Sequence, residues 1–297
     1  MQISKGMFQL KLKEKSKRIN MLVFLNGQII KEEDAKIGIS DLSYQFGYGL
    51  FETIKCEQGI PIFFEEHYKR LTQSAKEIGM LLPIEISAAR NWVNDVIKAN
   101  KITSARLKII ISKKIEEKFN VLIMASPLDP LPPSYSLICH RLSRDGDSVS
   151  FRHKTTSRAD SYLSHKKALE AGYNDTLYLN DKNELLECTR ANIFLILEDK
   201  IITPRLDQGI LSGVTRNKIF EIAKEEGIQI EEKSVHSLYL NKAKEVFISS
   251  AIIDVMPVSR IKAEDREYKY LTAITIDKIT QSYKLMIKRY IEKYKQT

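Results

Sequence analysis

The chain has 297 residues, of which 43% are hydrophobic and 29% charged, and its formal net charge is +9. This composition excludes a disordered or collagen-like chain, and no apolar run approaches the roughly 20 residues that a membrane span needs. The basic excess is concentrated in residues 1–20 and 281–297, which argues against a nucleic-acid groove. Three cysteines without a CxxC pair argue against a zinc site or a disulfide framework and favour the cytoplasm.

Residues 21–126 are predicted to form a small α+β domain. Asn26-Gly27 and Gln58-Gly59 each lie between apolar runs, which predicts two hairpins. Helical spacing follows up to Gly79 and again over residues 85–100, and ARLKIIIS and NVLIMAS are β-rich runs. Residues 1–20 precede a natural start at Met21, so we expect them to be an extension outside the fold.

A proline-rich stretch, PLDPLPP, predicts an interdomain linker over residues 127–134, because proline removes backbone donors and favours extended chain. The second region, residues 135–297, is predicted to be a larger, β-rich domain. Its helices are expected over residues 161–171, from Ser212-Gly213 to Gly227, and over residues 269–294. Its strands are expected in SLICHRL, SVSFRHK, TLYLN, ELLEC, ANIFLILE, KIITP and EVFISSAIIDVMPVSRI.

Most familiar catalytic motifs are absent from the sequence. There is no GxxxxGK[ST] loop and no GxSxG elbow. The GxGxxG-like string that starts at Gly47 has Glu52 in place of the third glycine, and a strand follows where a dinucleotide site needs a helix. The five histidines show no metal-ligand spacing, so no metal is expected and each histidine is interpreted as a surface or packing residue.

The remaining candidates are polar groups at the ends of predicted elements. Ser212-Gly213-Val214-Thr215 opens a helix, whose free N–H groups favour a phosphate, although an ordinary cap at Ser212 is the alternative. Arg70 is a candidate phosphate ligand or, alternatively, the partner of Glu66 in an i,i+4 ion pair. Lys154 precedes a polar turn, and a single lysine there is by default a surface residue. Ser250-Ala251 ends an apolar strand, where the two residues either face a phosphate or simply form a tight turn.

Glu187 lies between apolar residues of a predicted strand, and a carboxylate in such a position needs a cationic partner. A lysine, a buried glutamate and a helix end together indicate pyridoxal 5′-phosphate. The lysine would bond the cofactor aldehyde as a Schiff base, the carboxylate would keep the pyridine nitrogen protonated, and the helix end would hold the phosphate.

Six strings resemble, in the same order, those of the fold type IV (class IV) pyridoxal-phosphate enzymes. The family includes branched-chain aminotransferases, D-amino acid aminotransferases and 4-amino-4-deoxychorismate lyases, and the resemblance covers about residues 21–262. The strings are YQFGYGLFET, EEHYKRLTQSA, HKTTSRADSYLSHKKALEAGYNDTLYLN, LLECTRANIF, ITPRLDQGILSGVTR and VFISSAIIDVMPV. The resemblance implies a two-domain α+β fold, with a smaller N-terminal α/β domain, a β-rich C-terminal domain, the cofactor between them and a homodimer.

The resemblance also implies a role for each candidate residue. Lys154 aligns with the Schiff-base lysine, and Glu187 with the partner of the pyridine nitrogen. The phosphate would be bound by the side chain of Arg70, by backbone N–H groups in the G-[IV]-T-R string and by the last turn of the second domain. The backbone N–H groups are those of Val214 and Thr215, and the last turn is formed by Ser250 and Ala251.

Three functions remain open on the sequence. FGYGLFET, TPRLDQGIL, the SAIIDVMPV turn and Ala251 resemble the lyases most, so 4-amino-4-deoxychorismate lyase is the leading hypothesis. An amino-acid transaminase of the branched-chain or D-amino acid type is the first alternative. The SKKIEEKFN segment lacks the glycine and arginine with which many relatives place a substrate carboxylate, and Lys113 or Lys114 is a candidate substitute. This loop keeps a third hypothesis open, a protein that binds the cofactor without efficient turnover.

Overall fold

The computed structural model describes residues 21–80, 82–113, 118–143, 148–198, 200–271 and 274–296. The predicted N-terminal extension and residues 114–117 of the SKKIEEKFN segment lie outside the described residues.

Six antiparallel strands form the first sheet, in the order β2-β1-β6-β5-β3-β4. Both predicted hairpins are present, because Asn26-Gly27 and Gln58-Gly59 adopt the positive φ angles that tight hairpin turns require. The strands are β1 Leu22–Leu25, β2 Gln28–Lys31, β3 Gly49–Glu57, β4 Ile60–Pro61, β5 Ser104–Lys113 and β6 Phe119–Ser126.

Three helices belong to this part of the chain: α1 Leu42–Phe46, α2 Phe64–Glu77 and α3 Ile86–Ala99. Phe64 and Leu71 of α2 and Val93 of α3 are buried in one cluster with the sheet. Trp92 stacks on Phe24 of β1 with ring centroids 4.9 Å apart. The sheet therefore has one face covered by α2 and α3, which sets the direction in which the polar residues of these helices point.

Nine strands form the second sheet, in the order β12-β11-β10-β13-β14-β7-β8-β9, with β15 beside β14. An additional pairing of β9 with β10 closes six of these strands into a ring. The strands are β7 Tyr135–Arg141, β8 Asp175–Leu179, β9 Leu185–Cys188, β10 Asn192–Leu197, β11 Lys200–Pro204, β12 Gln229–Lys233, β13 Glu245–Ser250, β14 Asp254–Ala263 and β15 Arg266–Lys269.

Four further helices accompany the second sheet: α4 Val149–Arg152, α5 Ala159–Glu170, α6 Val214–Glu225 and α7 Ile274–Lys295. The long helix α7 joins the two parts of the molecule. Its Tyr283 is buried in a cluster with Phe63 at the start of α2 and with Val214 of α6. The hydroxyl of Tyr290 donates to Glu65 at 2.7 Å and accepts from the backbone N–H of Phe64 at 3.0 Å.

The strand predicted at SVSFRHK is wrong. Residues 149–152 form the short helix α4 instead, and His153, which follows it, is extended. Val149 is exposed, so the apolar residues here do not alternate into a core as a strand requires. The sequence interpretation also missed β12, β15 and α1, which is capped by the Asp41 carboxylate.

Candidate active site

The segment that carries Lys154 pairs with the first sheet. The backbone N–H of Phe51 donates to the carbonyl of Lys154 at 2.8 Å, and the N–H of Thr156 donates to the carbonyl of Gly49 at the same distance. Leu50 and Thr155 form the antiparallel bridge between these two bonds. Lys154 follows α4 in the second region of the chain, so this pairing brings a segment of the second region against the first sheet.

Two glycines allow this close approach. Gly47 has a φ of +68°, and a Cβ atom there would lie 2.9 Å from the Cβ of Ser157. A Cβ atom at Gly49 would lie 2.8 Å from the Cβ of Ser43 and 3.0 Å from the hydroxyl of Thr156. The structure therefore requires both glycines of the FGYG string, because a side chain at either position would push the Lys154 segment away from β3.

The ammonium of Lys154 lies in a positively charged, desolvated setting. Its Nζ is 4.7 Å from the ring centroid of Phe51. Burial first, and then the positive charges of Arg70 and Arg158, lower the pKa of Lys154 from 10.5 to about 7, although Glu52 and Glu187 act in the opposite direction. A lysine with such a pKa is half neutral near pH 7, and the neutral amine is the nucleophilic form.

Arg70 is held by a buried carboxylate that the sequence interpretation missed. Glu52 of β3 is 1% exposed and accepts from Nε and Nη2 of Arg70 at 2.8 and 2.7 Å. It also lies 2.7 Å from Nδ1 of His67. Burial raises the pKa of the Glu52 carboxyl, but Arg70 and His67 together hold that pKa well below its usual range. The sequence could have indicated Glu52 by the same pattern that identified Glu187, a carboxylate between apolar residues of a strand.

The alternative i,i+4 pair between Arg70 and Glu66 does not form. Glu66 instead lies 2.7 Å from the ammonium of Lys218. The remaining nitrogen of Arg70, Nη1, donates to the carbonyl of Ser212 at 2.9 Å. The guanidinium of Arg70 is therefore fixed on one side by Glu52 and on the other by the turn that opens α6.

The turn before α6 is formed by close contacts between two of the six strings, LLECTRANIF and ITPRLDQGILSGVTR. Its N-cap is Gly213, which has no side-chain cap, so the alternative of a Ser212 cap is wrong. A Cβ atom at Gly213 would collide with Oδ1 of Asn192, whose Nδ2 donates to the carbonyl of Leu211 at 2.9 Å. The N–H of Leu211 donates to Glu187 at 3.1 Å. Glu187 and the start of α6 are thus brought together through a single turn.

Two of the residues predicted at the phosphate, Thr215 and Ala251, line the same narrow cavity. Val214 and Thr215 are the first two residues of α6, and both are buried. Thr215 lines a narrow cavity together with Ala251, which follows β13 directly after Ser250. The other residues lining this cavity are Lys55, Ile62, Phe63, His67, Asp254 and Tyr283.

The class IV aminotransferase family matches residues 49–261 of this chain. The chain belongs to this family. That membership confirms the family predicted from the six strings, the prediction of an enzyme and, as the family's cofactor, pyridoxal 5′-phosphate. The observed mixture of sheets and helices confirms the predicted two-domain fold type IV architecture.

Three similar proteins illustrate the range of activities in the family. A Methanocaldococcus jannaschii protein assigned as a branched-chain-amino-acid aminotransferase is 28% identical over 288 residues, which cover 89% of this chain and 96% of that protein. A D-alanine aminotransferase of Listeria monocytogenes is 26% identical over 254 residues, 81% of this chain and 88% of that protein. A Legionella pneumophila structure assigned as a 4-amino-4-deoxychorismate lyase has a TM-score of 0.80 at 22% identity, over 86% of this chain and 96% of that one.

The described residues fit this cofactor in their chemistry. They supply an amine with a lowered pKa, a carboxylate, a guanidinium and the N-terminus of a helix, which are the groups that an aldehyde, a pyridine nitrogen and a phosphate need. Two hydroxyls beside them, those of Thr155 and Ser249, are buried and have no hydrogen-bond partner within the described part of the chain. Buried hydroxyls without partners are costly, which is consistent with a polar ligand at this site.

Within the described ranges, no group of three or more His, Cys, Asp or Glu side chains could hold a metal ion. No helix among the residues that the structure describes is long and apolar enough to cross a membrane.

Proposed function

We propose that the site binds pyridoxal 5′-phosphate between Lys154, Glu187 and the start of α6. When bound, this cofactor supplies an aldehyde that bonds an amine and a ring that accepts electrons from the substrate carbon. Lys154 would bond the aldehyde, and Glu187 would hold the proton on the ring nitrogen. The single observation that carries the proposal is the position of Lys154, whose segment pairs with β3 and whose Nζ lies 4.7 Å from the centroid of the buried Phe51 ring.

The phosphate is proposed to lie at the start of α6. Arg70 would provide the positive charge there, while the N–H groups of Val214 and Thr215 would donate to phosphate oxygens. Ser250 and Ala251 would complete this end of the site. Of these two residues, Ser250 has a hydroxyl that can donate to a phosphate oxygen, and Ala251 has none. Glu52 would act indirectly, by fixing the guanidinium of Arg70.

We further propose that the reaction is that of a 4-amino-4-deoxychorismate lyase. Once the substrate amine had replaced it on the cofactor aldehyde, Lys154 would be a free amine and would take the proton from C4 of the substrate as a general base. The C3–O bond would then break, and the proton would be returned to the departing enolpyruvate, so that pyruvate and 4-aminobenzoate are formed. The FGYGLFET and TPRLDQGIL strings and the alanine at position 251 support this choice over amino transfer.

An amino-acid transaminase is the second candidate, supported by the names of the Methanocaldococcus and Listeria relatives. In that reaction Lys154 would move a proton from the substrate carbon to the cofactor, and a 2-oxo acid would accept the amino group. The third candidate, a cofactor-binding protein without efficient turnover, rests on the unusual SKKIEEKFN segment.

The deciding experiment supplies the holoprotein with 4-amino-4-deoxychorismate and measures 4-aminobenzoate and pyruvate. We expect equal amounts of both products without any 2-oxo acid. In parallel, branched-chain, aromatic and D-amino acids are offered with 2-oxoglutarate. Efficient amino transfer without 4-aminobenzoate would establish the transaminase, and no turnover with any substrate would favour the carrier.

We expect two domains, residues 21–126 and 135–297, joined by residues 127–134.

A homodimer is supported by Ile39, Tyr44 and Phe46, three large apolar side chains that are strongly exposed near α1. Light scattering on the purified protein tests this, and a monomeric mass at micromolar concentration contradicts it. The cytoplasm is the proposed compartment.

The lowered pKa of Lys154 makes cofactor attachment depend on pH in a defined way. Protonation blocks the amine below its pKa, so the attachment rate should be nearly constant above about pH 7. It should fall roughly tenfold for each pH unit below that value. Growth of visible absorbance after mixing apoprotein with pyridoxal phosphate between pH 5.5 and 9 measures this rate. A rate that still rises tenfold per unit up to pH 9 would mean that Lys154 has an ordinary lysine pKa.

Arg70→Lys should weaken cofactor retention. Lysine keeps the charge but cannot donate to Glu52 through two nitrogens and to Ser212 through a third. We expect the cofactor dissociation constant to rise roughly 10- to 100-fold, the loss typical of one charged hydrogen bond. Visible absorbance after dialysis measures it, with Arg266→Lys on the exposed strand β15 as the matched control. Equal retention by both variants would remove Arg70 from the phosphate site.

A further inference from the structure

An ion pair joins the two sheets where the chain turns from β13 into β14. The ammonium of Lys55, on β3, donates to Oδ2 of Asp254, the first residue of β14, at 2.6 Å. The two side chains are only 16% and 22% exposed. Glu57, two residues along β3, lies 3.4 Å from the same ammonium. The first sheet is thus tied to one particular turn of the second sheet.

The backbone of Asp254 has an uncommon conformation. Its φ angle is +56°, in the left-handed region that glycine, asparagine and aspartate tolerate best. Asp254 pairs with Ser250 between β13 and β14, so it closes the turn that contains Ala251. The N–H of Ile253 donates to the hydroxyl of Ser250 at 3.5 Å within this turn. The position of Asp254 therefore determines where Ser250 and Ala251 lie.

Lys55 is the cation that holds the Asp254 carboxylate. The other carboxylate oxygen of Asp254, Oδ1, is buried and has no hydrogen-bond partner among the residues that the structure describes. Burial raises the pKa of the Asp254 carboxyl, and the charge of Lys55 has the largest effect in the opposite direction. Removal of Lys55 would leave a partly buried carboxylate without its bonded cation, which is unfavourable.

The ion pair borders the narrow cavity beside the start of α6. Lys55 and Asp254 line this cavity together with Thr215 and Ala251, two residues that the proposed function places at the phosphate. The charge of Lys55 already faces the carboxylates of Asp254 and Glu57. A lysine paired in this way is better suited to fixing the cavity wall than to binding a phosphate itself.

We propose that Lys55 and Asp254 are positioning residues for the phosphate end of the cofactor site. This inference rests on the proposed function. Lys55 would fix Asp254, and Asp254 would fix the turn at Ala251 relative to the start of α6. Strand β3 would then support the phosphate from two sides, since its Glu52 also fixes Arg70. The pair would strengthen binding of pyridoxal phosphate and contribute little to binding of pyridoxal, which has no phosphate.

The experiment compares these two ligands on the full-length protein after its cofactor has been removed. Growth of the visible band during titration gives a dissociation constant for each ligand. Lys55→Met should raise the constant for pyridoxal phosphate about tenfold, as for a lost hydrogen bond between charged groups, and should change that for pyridoxal less than about twofold. A general folding defect would weaken both ligands alike, so the ratio of the two constants reports positioning.

Three further variants complete the comparison. Asp254→Gly removes the tie while its backbone keeps a φ of +56° without strain, and it leaves Glu57 as a partner for Lys55, so it should lose the same preference. Lys55→Arg keeps the charge opposite Asp254 and should retain most of the preference. Lys31→Met is the matched control, because Lys31 is an exposed lysine of the same sheet, 3.7 Å from Glu33, and should match wild type.

The outcomes separate this inference from the proposed function. A wild-type ratio of the two constants in both Lys55→Met and Asp254→Gly overturns the inference alone, as does equal weakening of both ligands. Loss of preference in Lys55→Met with full preference in Asp254→Gly also overturns it, because Lys55 would then contact the phosphate directly. Absence of a visible band in wild-type protein with either ligand removes the proposed function and the inference together.

Discussion

Lys154→Ala is expected to abolish turnover, with a loss of at least about 10⁴-fold, the upper range for a positioned acid–base group. The residue has two tasks in the proposed reaction, bonding the cofactor and moving the substrate proton. Among the described residues, one lysine besides Lys154 has its ammonium over the Phe51 ring, namely Lys108. Lys108 lies on β5, which is paired with β3. Turnover with saturating cofactor measures the loss, and borohydride reduction followed by peptide mapping identifies the labelled lysine.

The fold should survive this substitution. The segment is held by its backbone bonds to Phe51 and Gly49, which alanine retains. Replacing a partly buried, repelled amine also removes an unfavourable charge. Lys167→Ala, an exposed lysine on α5, is the control and should behave as wild type. A borohydride label on a lysine other than Lys154 would refute the assignment.

Glu187→Gln is expected to slow catalysis roughly 100-fold while cofactor binding changes only a few-fold. Glutamine is neutral and cannot hold a proton on the ring nitrogen, so the ring would accept electrons less readily. The amide oxygen can still accept from the N–H of Leu211, so the turn before α6 should remain in place. Turnover number and cofactor dissociation constant, measured on the same preparation, separate the two effects.

Glu187→Ala provides the comparison for this prediction. It removes both the charge and the bond to Leu211, so it should weaken cofactor binding as well as slow catalysis. If Glu187→Gln turned over at the wild-type rate, the carboxylate would serve only the turn. The difference between the two variants therefore distinguishes a chemical role of Glu187 from a structural one.

Local elements were predictable because their signals lie within a few residues of sequence. Asn26-Gly27 requires positive φ angles and produces the hairpin of β1 and β2. Apolar spacing predicts α2 and α3 for the same reason, since the residues that form one helix face are three and four positions apart. The strand prediction for SVSFRHK was wrong because its apolar and polar residues alternate as in a strand, whereas Val149 is exposed in the folded protein and packs against no core.

The sequence by itself determined the family and the candidate site, because six strings in order carry both. It identified Lys154, Glu187, Arg70 and the start of α6 as candidates before any distance was known. It did not reveal how these groups contact one another. The pairing of Glu187 with the turn before α6 depends on strands β9 and β10 lying side by side.

Only the tertiary structure decided which charges meet. Sequence spacing offered Glu66 as the partner of Arg70, whereas packing of α2 on the first sheet brings Glu52 of β3 to it. Likewise, the lowered pKa of Lys154 arises where a segment of the second region meets β3. Charge interactions depend on distance and desolvation, and for residues far apart in the chain both are set by the folded packing.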